Sequence, residues 1–169
     1  INKVSPVIAK LFTPLVLVML TVFLGTILFT GKDPYNDREF LILFNFLLIA
    51  VMALILFSLA ESSKNESGFW TISLLLGLAI VTVIINGIAL SAIIFRISEW
   101  GFTPNRIAVL GSNLLILSNL LMVTFHLLKS IKKPELFVLA EKSIASFLPI
   151  YSLWAAILVF LFPVLFGFK

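Results

Sequence analysis

Polar residues in this chain gather in short clusters, separated by apolar runs about as long as a bilayer is thick. A membrane-spanning helix needs about 20 apolar residues. Five runs meet that length: about Val7 to Thr30, Phe40 to Ala60, Phe69 to Phe95, Asn105 to Leu128 and Ser146 to Phe168. The clusters GKDPYNDRE, ESSKNESG, RISEWGFTPNR and KSIKKPE separate them. Barrel strands would be about half as long and would alternate in polarity; these runs do not alternate. The expected fold is therefore all-α, an integral membrane bundle of about five transmembrane helices in a single domain over residues 1–169. Pro14 breaks the first run, which membrane helices tolerate when neighbours satisfy the freed carbonyl. The segment PELFVLAEKSIASF mixes charges with apolar residues and predicts a short interfacial helix ahead of the fifth span.

Composition agrees with this pattern. The chain is 61% hydrophobic and only 12% charged, against about 25% charged in ordinary soluble domains, and its mean hydropathy is +1.19. A soluble fold of this size would leave near a third of its surface exposed, so lipid is the solvent that accommodates so much hydrocarbon. The net charge of +4 is dispersed and suits anionic headgroups better than a nucleic-acid surface. There are no cysteines, which excludes disulfides, thiolate nucleophiles and Cys-ligated zinc.

With five spans, one side carries Lys3, Lys10, Lys64, Lys129, Lys132, Lys133 and Lys142, and the other Lys32, Arg38, Arg96, Arg106 and Lys169. The positive-inside rule then places the KSIKKPELFVLAEK turn in the cytoplasm and the RISEWGFTPNR turn outside. The chain begins at Ile1, and the first run lacks a small-residue cleavage site before its polar turn. It reads as a spanning helix of a longer chain rather than a secretory signal.

The turn at residues 96–106 is the most particular polar stretch. Thr103 followed by Pro104 predicts a helix start, with the hydroxyl capping free amides and proline at the first helical position. Gly101 permits the reversal. Arg106 then falls in a first helical turn, where the macrodipole favours anions. Two arrangements answer that conflict. Glu99 can lie between Arg96 and Arg106 in one ionic network, or the two arginines can grip a phosphate or carboxylate headgroup. Trp100 reads as an interfacial anchor.

The stretch RISEWGFTPNRIAVL resembles a signature in a family of bacterial polytopic membrane proteins of unknown function, domain of unknown function 4153. The resemblance covers about Asn86 to Lys129; the first two helices share only hydrophobic character with it. The family pattern has an Arg-Ile, an aromatic-Gly-aliphatic-Thr-Pro turn, and an arginine opening the next helix. Trp100 stands where a tyrosine is commoner and Phe102 where a leucine is commoner, so residue type is kept. The resemblance implies a multi-pass protein of the bacterial inner membrane and a domain forming the distal part of a longer chain. It implies no activity.

Within the spans, Asn105, Ser112, Asn119 and His126 recur every seven residues on the fourth helix, with Asn113 and Thr124 beside them. Such a heptad stripe drifts only about 20° per repeat. Polar groups in hydrocarbon are costly unless bonded, so this stripe predicts either interhelical hydrogen bonds or the wall of a polar cavity. The third helix offers Asn86, Gly87 and Ser91 as partners, with Ser91 reaching Ser112 or Asn113 and Asn86 reaching toward Asn119. Ser73 with Gly77, Gly87 with Ser91, and Thr21 with Gly25 are small-residue pairs that let helices approach. His126, the only histidine, has no acidic neighbour and makes a poor metal site or catalytic base.

The span centres contain no Asp or Glu, and the chain has no paired carboxylates, phosphate loop, HExxH or nucleophile elbow. No catalytic residue, cofactor or metal ligand is expected. The expected partners are the bilayer, anionic headgroups, and further transmembrane helices of the same or another chain, with no nucleic acid. Three functions compete: a non-enzymatic envelope membrane module; a transporter or channel-like domain with its anion or headgroup site at the 96–106 turn; and an enzyme acting on anionic lipid headgroups.

Overall fold

The computed structural model describes residues 4–29, 35, 38–64 and 68–167. Of the turn clusters GKDPYNDRE and ESSKNESG, residues 31–34, 36–37 and 65–67 lie outside the described residues, as do 168 and 169, while Arg38, Glu39 and residues 61–64 belong to α2 rather than to turns. Every long element is helical: α1 (Val4–Phe29), α2 (Arg38–Lys64), α3 (Phe69–Trp100), α4 (Pro104–Lys132), a 3-10 turn (Pro134–Leu136), α5 (Phe137–Ala156), a π-helical turn (Ile157–Leu161) and α6 (Phe162–Phe166). There is no strand among the described residues.

Among the described residues, four helical segments are long and apolar enough to cross a membrane: Ile42–Glu61, Phe69–Trp100, Pro104–Lys132 and Pro134–Phe166. Leu11–Ile27 in α1 is a shorter apolar stretch. The protein is a multi-pass, all-α membrane bundle. Its outward side chains agree with lipid as solvent, since Phe46, Phe29, Phe160 and Val164 are all largely exposed.

Helix α3 is the central element. It packs against α1, α2 and α4, and half of its membrane window is buried. Leu78, Ile85 and Ala89 on α3 meet Leu48 and Ile55 of α2 and Leu120 of α4 in one core. Helix α4 carries α5 on its other side, and α2 also touches α5. Helix α1 lies on α2 and α3. Gly77 lets the Leu17 side chain come close, so a Cβ at that position would sit 3.5 Å from it. Pro14 does not break α1, which continues on both sides of it. Its neighbour Thr13 exchanges a 2.9 Å hydrogen bond with Ser58 of α2.

The C-terminal third differs from the sequence expectation. There is no separate interfacial helix followed by a new span at Ser146. One helical run continues from Pro134 to Phe166. Between Glu141 and Phe147 the chain has no glycine or proline to stop a helix, and Ser143 and Ser146 bond carbonyls of their own helix. Pro149 is carried inside α5. The later proline is accommodated differently. Just ahead of Pro163 the helix widens into the π turn, where the Phe162 amide reaches Ile157 O, five residues back. A π turn is a recognised way to absorb a local disruption of the α ladder.

Candidate functional site

The α3–α4 reversal forms as its local chemistry predicts. Gly101 sits at φ +74° and ψ −178°, a region glycine enters readily and other residues do not. Its amide closes onto Ile97 O at 2.9 Å. Thr103 is extended and caps α4, its hydroxyl accepting from the Arg106 amide at 3.4 Å, and Pro104 opens the helix.

The arginine compensation is not the one expected. Arg106 Nη1 donates to Trp100 O at 2.8 Å and to Gly101 O at 2.7 Å. Those carbonyls close the C-terminal end of α3, where the helix dipole is negative and a cation is favoured. A charge misplaced on its own helix is thus well placed on the preceding one. Arg96 donates through Nε to Tyr35 O at 2.9 Å, which ties α3 to the connection between α1 and α2. The two guanidinium carbons lie 5.6 and 5.7 Å from the centroid of the Trp100 ring, so both cations are within cation–π range of one indole. Phe95 meets the same indole edge-on at 6.3 Å, and Tyr35 meets Phe95 at 5.5 Å. Glu99 takes no part. It is exposed and pairs with neither arginine. The network of Arg96, Trp100, Thr103 and Arg106 exists, and the acid expected at its centre stands outside it.

These residues border an open groove of about 310 Å³ between α2, α3 and α4. Arg96, Thr103, Asn105, Arg106 and Asn45 supply its polar lining, and Ile42, Ile93 and Val109 its aliphatic walls. Among the described residues, none that lines it is acidic. Arginine, asparagine and threonine all present donors, so the groove is chemically biased toward an acceptor-rich, negatively charged group.

The polar stripe of α4 is used mainly between helices. Asn113 Nδ2 donates to Asn45 Oδ1 of α2 at 2.8 Å. Asn86 Nδ2 of α3 reaches the Asn113 carbonyl at 3.3 Å, not Asn119. Asn119 turns the other way and donates to the Tyr151 hydroxyl of α5 at 3.1 Å. Ser112 accepts from the Trp154 indole N–H at 3.0 Å. Beside it, Gly111 leaves the space that the indole fills, because a Cβ there would collide with the ring. Thr124 bonds back to Leu120 O within its own helix. Asn86 and Asn119 are fully buried, and the Oδ1 of each has no partner among the described residues. The same holds for His126 Nδ1, while Lys129 lies over Phe125 rather than against the histidine.

Two expectations about small residues fail. Ser91 is exposed and bonds Ile88 O and the Tyr35 hydroxyl, not Ser112 or Asn113. Gly87 is exposed too, with nothing within 4 Å of a Cβ placed on it. No described residue uses the notch. Thr21 and Gly25 behave similarly: Thr21 bonds its own helix at Leu17 O, and Gly25 has open space beside it.

Sequence reasoning missed Asn45, Gly111, Tyr151, Trp154 and Tyr35. Asn45 carried a usable signal, as a lone amide inside an apolar span. Tyr151 and Trp154 are three apart on α5 and present polar tips to one neighbour, a spacing visible in the chain. Among the described residues no cluster of three or more His, Asp or Glu side chains is placed to hold a metal. No family model matches this chain, and neither does any curated protein or solved structure.

Proposed function

We propose that this protein is a non-enzymatic membrane module of the bacterial inner membrane, built to hold a fixed bundle and to present its outer faces to lipid and to further helices. The supporting observation is the destination of the buried polar groups. Asn113, Asn86 and Asn119 donate across helix interfaces, and Ser112, which donates to Ala108 O of its own helix, accepts from Trp154, so these groups join α2, α3, α4 and α5. A carrier wall would turn such groups toward a pathway instead. Only 6% of the membrane window of the Pro134–Phe166 run is buried, so its apolar face is left for lipid or partner helices. The bacterial inner-membrane assignment rests on the resemblance carried by RISEWGFTPNRIAVL.

The test compares stability with permeability. Asn113→Leu removes the bond to Asn45, and a packing role predicts a lower thermal unfolding midpoint in detergent. Proteoliposomes of the wild-type chain should be no leakier to chloride than protein-free vesicles. A wild-type chloride flux that Asn113→Leu abolishes without moving the unfolding midpoint would replace this reading with the channel-like one.

A further inference from the structure

We propose that the groove at the α3–α4 turn binds the headgroup of an anionic phospholipid, with Arg106, Asn105 and Thr103 at its polar rim and the start of an acyl chain against Ile42, Ile93 and Val109. This rests on the membrane reading above. Among the described residues the lining carries two guanidinium groups, two amides and a hydroxyl, and no carboxylate. Arg106 commits only Nη1 to the α3 carbonyls. A guanidinium carries five N–H donors in a planar fork, so Nε and Nη2 are available to two oxygens of one phosphate.

The aliphatic walls decide between ligand sources. Ile93 is three residues from Arg96, and Val109 three residues from Arg106, each toward the middle of its span. At a rise of 1.5 Å per residue that places them about 4–5 Å deeper than the charges. Ile42 adds an aliphatic wall from α2, so each of the three helices contributes one. A soluble phosphate would use the donors and leave these walls unexplained. A phospholipid uses both. The turn also lies where a headgroup would be, between two membrane-length helices and beside the exposed rings of Trp100 and Phe102. A volume of about 310 Å³ accommodates a phosphate and the first part of a chain, with the remainder of the lipid in the bilayer.

The experiment uses the purified full chain in dodecyl maltoside. Phosphatidylglycerol, phosphatidylcholine with the same acyl chains, and inorganic phosphate are titrated separately at matched ionic strength. The thermal midpoint and the lipid retained in native mass spectrometry are the readouts. Phosphatidylglycerol is expected to raise the midpoint and to be retained; the other two probes are not. The informative variant is Asn105→Asp. An acidic residue in the first turn of α4 suits the helix dipole, so the fold is kept, while the groove gains a negative charge at its rim. Its apparent affinity for phosphatidylglycerol should fall roughly tenfold or more, the factor for one lost charge-assisted contact. The proposal is overturned if Asn105→Asp responds like the wild type, if phosphatidylcholine matches phosphatidylglycerol, or if inorganic phosphate alone reproduces the full shift. Failure here with a helical, monodisperse protein in detergent leaves the membrane module standing. Recovery of the wild type as a detergent-free monomer removes both.

Discussion

The two ends of the α4 polar stripe are held in different ways. At the α3–α4 turn, charged side chains bond backbone: Arg106 takes the Trp100 and Gly101 carbonyls, and Arg96 takes the Tyr35 carbonyl. Along the α4–α5 seam, neutral side chains bond one another: Asn119 with Tyr151, and Trp154 with Ser112. The turn sits where water and headgroups screen charge, and guanidinium groups can be kept there at little desolvation cost. The seam lies within membrane-length helices, where charge is expensive and amide, hydroxyl and indole serve instead. A contact to backbone survives replacement of the acceptor residue's side chain. A contact between side chains fails when either partner is removed. The two regions should therefore respond differently to substitution.

The seam should give the largest single effect. Gly111→Ala places a methyl group in the Trp154 ring, and the ring can move aside only by giving up its hydrogen bond to Ser112 and its edge contact with Phe162. Overpacking of this kind costs about 1–3 kcal/mol. A lower unfolding midpoint in detergent is expected, with much of it recovered in the double variant Gly111→Ala/Trp154→Ala, where the space is returned. If Gly111→Ala is as stable as the wild type, the indole does not seat on α4 and the seam is mis-described.

The turn comes next. Arg106→Gln removes the two bonds to the end of α3 and one of the two cations within cation–π range of Trp100. Hydrogen bonds from charged donors are worth about 1.5–3 kcal/mol when sheltered; at this partly exposed position about 1 kcal/mol is expected. Because the acceptors are carbonyls, Trp100→Phe should leave these bonds intact and cost less than Arg106→Gln. The reverse order, read from unfolding midpoints, would mean that stacking rather than backbone bonding holds the turn.

A double-mutant cycle sharpens the seam further. Asn119→Leu and Tyr151→Phe together should show a coupling energy of about 0.6 kcal/mol, the average for such contacts between membrane helices, with about 1.7 kcal/mol as an upper bound. Asn119→Leu keeps the number and branching of side-chain heavy atoms, and Tyr151→Phe removes only the hydroxyl. Strictly additive effects would show that the 3.1 Å bond contributes nothing.

What could be read in advance follows the same division. The helices over the second, third and fourth apolar runs, the Gly101 reversal and the Thr103–Pro104 helix start depend on residues near one another in the chain, and these were legible. The acceptors of Arg106 were not, because a carbonyl carries no sequence identity and Glu99 was the nearest named anion. Gly87 and Ser91 showed a smooth stripe on α3, yet spacing alone does not say whether a stripe faces protein or lipid; this one is exposed. Gly111 and Trp154 form the tightest notch at any described glycine, but they sit on different helices, and only tertiary structure relates them. The break expected before Ser146 reflected polarity rather than a stop signal, and charge alone does not end a helix.

The smallest effect tests the comparison most sharply. If the turn were an ionic network, Glu99→Ala would damage it as much as Arg106→Gln, since both would leave a guanidinium unmatched. The structure instead leaves Glu99 exposed beside a turn whose cations bond carbonyls. Glu99→Ala should therefore stay within about 0.5 kcal/mol of the wild type, as an ordinary surface substitution does. Combined with Arg106→Gln, it should add nothing beyond that. Residues in one ionic network couple by about 0.5–3 kcal/mol, whereas independent sites add within a few tenths. A measured coupling in the first range would restore the acid to the centre of the turn. It would also weaken the headgroup proposal, because Arg106 would then already have an anion.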